Sequence, residues 1–409
     1  MKKLCLVFLL LGSCTSKPPI TKLRKFTSVQ LGLSMKEFLL LLLLLSGCAT
    51  KTQMVKPTKF TSEPCEQSFF KGAFAKPHLQ LNEISSMFSM GCFNEVITLG
   101  SYVRANHRDK FYQITTEVAE IAFPEGYLTD YTLESYERSY LSLLISLSYL
   151  NLSNEDASLV ELRQSMMDEQ AHLYNHGNDP VITTLHAAIW DRFDPQVARP
   201  YWKRLSEDKS VHASISKFAK GRLYEIDKSS TSKRAWKIYG VGTMPPIFWQ
   251  SDLIKREKGP YKIRAARGFP KACSSTASML IPTSSWTDKL SRRYEMEYHP
   301  LLYTKSILRI PFGITYGVLG VGAGVAVGVS GCVLASQFRS GDMCQAAISG
   351  GGEIIKSSGN LVQYTLGPDL RHWENVPSAF YIVDEAMPES SPCLNHNEKE
   401  NMVLRALSR

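Results

Sequence analysis

The chain has 409 residues, of which 44% are apolar and 21% charged, with 26 Gly and 20 Pro. That length suits two or three compact units, and the composition excludes wholesale disorder, a collagen-like repeat and a polytopic membrane protein. The formal net charge is +9, but residues 1–47 carry seven basic side chains and one acid and leave only +3 for the remainder, too little for a nucleic-acid footprint.

Two export-type segments open the sequence in tandem. The first is Met1-Lys-Lys, an apolar run over 4–11 and Gly12-Ser13-Cys14; the second is Met35-Lys36, an apolar run over 38–45 and Ser46-Gly47-Cys48. A basic start, an apolar core too short to span a bilayer and small residues before a processing point mark secretory signals. Both resemble the signals of bacterial lipoproteins. Leu45-Ser46-Gly47-Cys48 is similar to the lipobox, whose cysteine thiol takes diacylglycerol and becomes the new N-terminus. The resemblance implies lipidation at Cys48, with Cys14 as the alternative. Cys48 is preferred because processing at Cys14 would leave the leucine run 39–45 exposed in the mature chain, with Met1 and Met35 both open as the start. Ala49, where an Asp would signal retention, implies the outer membrane.

Beyond Cys48 stand Cys65, Cys92, Cys273, Cys332, Cys344 and Cys393. An even set in an oxidising compartment permits up to three disulfides in fifteen pairings. Cys65 with Cys92 and Cys332 with Cys344 are the closest in sequence. No C-x-x-C and no cysteine–histidine pairing at zinc spacing occurs, so neither a redox centre nor a metal site is expected.

In chain order, residues 48–64 are Thr/Lys/Pro-rich without apolar periodicity and read as a tether, with folded structure starting near Cys65. Over 79–102, apolar residues at helical spacing, among them Ile84, Met87, Phe93, Val96 and Ile97, predict two short helices broken at Gly91 and Gly100. Over 132–170, Leu133, Tyr136, Tyr140, Leu143, Leu144, Leu147 and Leu150 mark one helical face. A second helix begins after the turn at 151–154. The pair predicts an αα-hairpin whose inner face must be buried against neighbours. Asn154 or Ser153 can cap its second helix, with Asp156 at the positive end.

Tyr136-Glu-Arg-Ser-Tyr-Leu-Ser-Leu-Leu-Ile-Ser-Leu-Ser-Tyr-Leu150, then Glu155-Asp-Ala157 and Glu161-Leu-Arg163, resembles the tetratricopeptide-like hairpin of an uncharacterised family of bacterial envelope lipoproteins. Phe218-Ala-Lys-Gly-Arg-Leu-Tyr-Glu225 with Ala235-Trp-Lys-Ile-Tyr239 is similar to that family's next helix pair. Asp369-Leu-Arg-His-Trp-Glu-Asn-Val-Pro377 is similar to its C-terminal Arg-x-Trp-x-x-Leu-Pro segment, with Val376 in place of Leu. The glycine usual in the hairpin turn is absent at Ser153-Asn154, and no clean 34-residue period recurs. The resemblance implies a lipid-anchored scaffold of degenerate helical repeats.

Between Arg309 and Arg339 there is no charged residue. Gly313 and Gly317, then Gly320, Gly324 and Gly328, fall four apart. On a helix they form a smooth strip for close packing, as in membrane helices, and the stretch is long enough to cross a bilayer. Glycine is a poor helix former in water, and the alternation of Gly320, Gly322 and Gly324 with Val325, Val327 and Val329 suits a buried hairpin of strands equally well. After Arg339, residues 349–352 read as a glycine-rich turn and residues 361–366 and 379–383 as short strands.

Candidate chemistry is sparse. Glu169, His172 and His176 share a helical face, but Gly177 ends the segment and no His-Glu-x-x-His is present, so no metal site is expected. Gly350-Gly351-Gly352 lacks a following Gly-Lys-Ser/Thr, and Ser274, Ser275, Ser284 and Ser285 lack hydrolase surroundings. Tyr136, Tyr140, Arg371 and Trp373 remain as candidate interface residues, Arg371 and Trp373 sharing a face if their segment is a strand.

The expected fold is mainly α: an irregular tetratricopeptide-like helical repeat domain with a glycine-rich apolar segment and a small β-containing C-terminal part. The expected divisions are a signal region over 1–47, the tether over 48–64, helical repeats over 65–270, a connector over 271–308, the apolar segment over 309–338, the C-terminal part over 339–388 and a tail over 389–409. The expected function is an outer-membrane lipoprotein scaffold or adaptor. It would bind another envelope protein without catalysis, metal, nucleic acid or any cofactor beyond the covalent lipid on Cys48. The alternative is a membrane-inserting part of a pore or export assembly that self-associates through 310–338.

Overall fold

The computed structural model describes residues 57, 59–107, 117, 120–122, 129–170, 179–229, 233–251, 261–337 and 341–386. Residues 52–409 form one compact unit, and the fold is mainly α. Cys14, Cys48, His172, His176, most of the tether and the tail beyond 386 lie outside the described residues.

Helices α1 (Glu63–Ala73), α2 (Pro77–Ser89) and α3 (Phe93–His107) come first. Folded structure starts ahead of Cys65: the Phe60 ring packs 5.5 and 5.7 Å from Phe69 and Phe70, and the Thr61 hydroxyl donates to Glu95 at 3.0 Å. A disulfide joins Cys65 to Cys92, tying the first turn of α1 to the α2–α3 turn. Cys273 and Cys332 are disulfide-bonded as well. Gly91 provides the predicted break, with φ of 80°. Gly100 does not break α3, because its missing side chain is what admits Ile145 and Leu141 of the next helix to within 3.0–3.5 Å of where a Cβ would stand.

Helices α4 (Ser135–Asn151) and α5 (Glu155–Gln170) form the predicted αα-hairpin. Every residue from Ser135 to Ser148 is buried, so α4 is a central helix and not a one-faced one. Three of its serines are satisfied against α5: Ser139 meets Ser165 at 2.8 Å, Ser146 meets Ser158 at 2.9 Å, and Ser142 donates to Asp168 at 2.7 Å. Such a seam lets two backbones approach without stranding a hydroxyl. Asn154 caps α5 by accepting from the Ala157 N–H at 3.1 Å, with Asp156 in the first turn. Ser153 adopts φ of 60°, the left-handed conformation that glycine fills in such turns.

Helices α6 (Pro180–Phe193), α7 (Pro195–Glu207) and α8 (Ala213–Lys228) follow. Asp179 caps α6 by accepting from Val181 and Ile182, and Asp194 caps α7 by accepting from Gln196. Pro180 and Pro195 each stand at the first helical position, where a missing N–H costs nothing.

The chain then leaves helix. Residues 235–239, expected in a helix pair, lie instead on strand β1 (Trp236–Val241) and its approach. β2 (Ile247–Ser251) and β3 (Tyr261–Ala265) form a separate antiparallel ribbon, and β4 (Cys273–Ser274) and β5 (Ser278–Pro282) precede helix α9 (Ser284–Arg292). After the long helices α10 (Pro300–Gln337) and α11 (Gly341–Leu366), strand β6 (Ala379–Asp384) enters the sheet between β1 and β5, giving the antiparallel order β1-β6-β5-β4. Tyr381 pairs with Tyr239 on one side and Leu280 on the other. Alternate residues serve two cores: Phe380 and Ile382 join the main helical core, while Tyr381 and Val383 pack with Tyr239, Val241 and Leu280 on the far face.

Three of the expectations meet the structure here. The small β part and its C-terminal strand are present, and β6 completes a sheet begun at 236, so the strands on both sides of the long helices belong to one sheet. Residues 349–352 and 361–366 are neither turn nor strand but lie within α11. Of the two forms open to the charge-free stretch, it takes the helical one, continuous in α10 as far as Gln337. Among the described residues, no helix is long and apolar enough to cross a membrane.

Candidate functional site

The residues expected at an interface meet inside the molecule. Tyr136 and Tyr140 lie one turn apart on α4. Tyr136 stacks on Trp286 of α9 at 5.0 Å, and Tyr140 contacts Trp286, Trp373 and Phe380 with ring centroids 5.1–5.6 Å apart. Tyr136, Tyr140 and Trp373 are each no more than 1% exposed. The expectation of an interface is corrected for these three: their aromatic area is already covered within the chain, where it joins α4, α9, β6 and the segment 369–377. That segment is irregular, so Arg371 and Trp373 do not share a strand face.

Hydrogen bonds fix the segment in place. The Trp373 backbone N–H donates to Glu137 at 2.9 Å and its indole N–H to Ser85 at 2.8 Å, while the N–H groups of Glu374 and Asn375 both donate to Asn82 at 3.0 Å. Arg293 donates to Glu134 at 2.7 Å and to the carbonyl of Asp369 at 2.9 Å. Arg371 forks onto Asp369 at 2.9 and 2.8 Å and lies 5.7 Å from the Tyr131 ring centre. Burial opposes ionisation of Asp369, but the Arg371 fork outweighs it and holds the carboxyl below its ordinary value. Glu137 sits at the centre, also accepting from the Tyr131 hydroxyl at 2.6 Å and the Glu134 N–H at 2.9 Å. Burial pushes its carboxyl up to about 7, against the pull of the Tyr131 hydrogen bond and with a further push from Glu134. Three converging hydrogen bonds and full burial leave this carboxyl no approach for a substrate.

Two concavities among the described residues are larger than the others described. One, of about 320 Å³, is lined by Lys217, Arg222, Arg234, Glu225 and Ser274. Two of its three cations are engaged: Arg222 pairs with Asp191 at 2.7 Å, and Arg234 with Glu225 at 2.9 Å. The other, of about 600 Å³, is a groove between α5, α6 and α7, lined by Leu159, Arg163, Met166, Trp190, Phe193 and Val197. Arg163 lies 5.9 Å from the Trp190 ring centre, which gives the apolar wall a cationic edge. Val160 and Met167 are exposed on α5 beside it. Sequence reading missed this groove, although its signal is present: Leu159 and Met166, like Val160 and Met167, are seven apart, two parallel apolar stripes on one helix.

The α10–α11 hairpin is the third feature. Its root is built into the fold, where buried Lys305 bonds Glu117 and Glu120, the latter at 2.6 Å. Beyond Pro311 the described side chains of α10 turn outward; Ile314, Val318, Leu319, Val325 and Val329 are all at least half-exposed. The glycine strip meets α11: a Cβ on Gly324 would stand 2.7 Å from the Gly351 carbonyl oxygen, and one on Gly351 would stand 2.5 Å from that of Gly324 and 3.1 Å from the Gly328 nitrogen. Gly320 is half-buried, and the surroundings of Gly313 and Gly317 lie outside the described residues.

One cluster of metal-ligating residue types occurs among the described residues, Cys65, Cys92 and Glu95. Its sulfurs are joined to each other and Glu95 accepts from Thr61, so no thiolate is on offer. Glu169 is occupied in accepting from the Asp179 N–H at 2.9 Å.

No known family profile matches the chain, and no curated protein or solved structure is significantly similar to it.

Proposed function

We propose that the chain is a lipid-anchored adaptor of the bacterial envelope, held at the outer membrane through Cys48, that binds another envelope protein through its helical surface and performs no catalysis. The observation carrying this reading is the groove between α5, α6 and α7. It is largely apolar, edged by Arg163 and Asp194, and it is bordered by the exposed Val160 and Met167. A large aromatic on the floor with a cation at the rim is the anatomy of a protein-recognition pocket. The leader's resemblance to lipoprotein signals supplies the address. Confinement to one membrane layer raises the effective concentration of any partner in that layer.

In-cell crosslinking of the tagged full chain followed by mass spectrometry tests the reading. The expected result is one stoichiometric envelope partner, captured through 159–197, lost in Val160→Asp/Met167→Asp and reduced in Cys48→Ser. Capture that is indifferent to the groove substitutions sinks it. A second reading, a membrane-inserting component, is favoured by the exposed apolar surface of α10.

A further inference from the structure

The hairpin carries an asymmetry across its width. Helical residues turn by about 100° each, so Val318, Leu319, Val321, Val325, Val327 and Val329 spread around α10 on every side except the glycine strip, and they are 42–66% exposed. A protein partner covers one face of a helix; an apolar surface that wraps it asks for a solvent. The exposed hydroxyls on this helix are already spent, with Thr315 donating to the Pro311 carbonyl at 2.8 Å and Ser330 to that of Ala326 at 2.5 Å, as hydrocarbon surroundings demand.

On α11, Ala347, Gly351 and Ile355 face α10. The exposed residues Gln345, Ser349, Gly352 and Lys356, spaced four, three and four apart with Glu353 beside them, lie on the opposite side. With Ile348 and Ile355 exposed on the α10-facing flank of α11, the hairpin presents an apolar surface on one side and the polar stripe of α11 on the other. Crossing a bilayer would carry Glu353 and Lys356, level with Gly324 midway along the apolar run, into the hydrocarbon centre, where ionised side chains are costly.

We propose that the α10–α11 hairpin lies in the plane of a phospholipid membrane, with α10 among the acyl chains and the stripe of α11 toward headgroups and water. This deepens the membrane reading above, replacing a pore-forming insertion with an in-plane seat, and it does not require the lipid on Cys48.

The test places a benzophenone-bearing amino acid at Val325 or at Lys356 of the full chain. After irradiation in cells, phospholipid adducts are measured in the native background and in Cys14→Ser/Cys48→Ser. Both positions are exposed, so neither substitution disturbs packing. The expected result is at least ten times more lipid adduct from position 325 than from 356, in both backgrounds. Equal adducts from the two positions would overturn the in-plane seat in favour of crossing. Adducts from 325 to a second copy of the chain, without lipid, would overturn it in favour of self-association. Adducts that disappear only when both cysteines are replaced would deny the hairpin its own affinity for lipid and leave the anchored-adaptor reading standing.

Discussion

Glu137 accepts hydrogen bonds from a hydroxyl on the loop before α4, from the N-cap backbone of its own helix and from the C-terminal segment, and it is fully buried. Its carboxyl is pushed from an ordinary value of 4.5 to about 7 in the fold. A raised folded value means that the folded state holds its proton more tightly than the unfolded chain. The associated stability is complete below pH 4.5 and disappears as pH rises through 7. Between pH 6 and pH 8 this one group costs the protein about 1 kcal/mol. Glu137→Gln abolishes that titration and shares every other titrating group with the native chain. Urea unfolding at the two pH values should therefore show the native protein losing about 1 kcal/mol relative to the variant; parallel pH dependences would show that the carboxyl does not titrate there.

Glycine acts at the scale of elements, and its role is set by its neighbours. Gly322 has nothing within 4 Å of a Cβ position, whereas a Cβ on Gly324, two residues on, would meet Ile355 at 2.5 Å. Gly322→Ala should stabilise α10 by about 1 kcal/mol, since it adds helix propensity without a clash. Gly324→Leu should force α10 and α11 apart and accelerate hydrogen exchange in both at least tenfold, while β6 amides keep their protection. Similar behaviour of the two variants would refute the strip as a packing device. The four-residue spacing of these glycines was legible in the sequence as a close-packing strip, and so was the α4–α5 hairpin, because leucines at helical spacing and an Asn-capped turn agree with each other. Gly350-Gly351-Gly352 was not legible: alone it favours a turn, and only Gly324 and Gly328 across the interface make a helix the better answer. Tyr140 and Trp373 misled for a related reason, because a large aromatic reads alike whether its partner is another protein or a residue more than 200 positions away in the same chain. Gly91 and Gly100 likewise look identical until Ile145 arrives over one of them.

At the scale of the whole molecule, the decisive fact is where β6 lies. Had residues 339–388 folded as a small separate part, damage there would leave the helices intact. Instead β6 is an inner strand, with Ile382 facing the core that also holds Leu144, Trp202 and Trp286, and Trp373 just before it is anchored on α2 and α4. A carboxylate at position 382 would have to be desolvated without a partner, at several kcal/mol, a large part of the total stability of a typical domain. Ile382→Asp should therefore remove slow hydrogen exchange from α4 as well as from the sheet, and thermal unfolding followed by circular dichroism should lose its main cooperative transition. Lys237→Asp on the neighbouring strand changes charge at a half-buried edge position and should leave that transition within a few degrees of native. If Ile382→Asp kept the protection of α4 while losing that of β1 and β5, the helices and the sheet would be two cooperative units, and the expected division into a helical domain and a β-containing part would be restored.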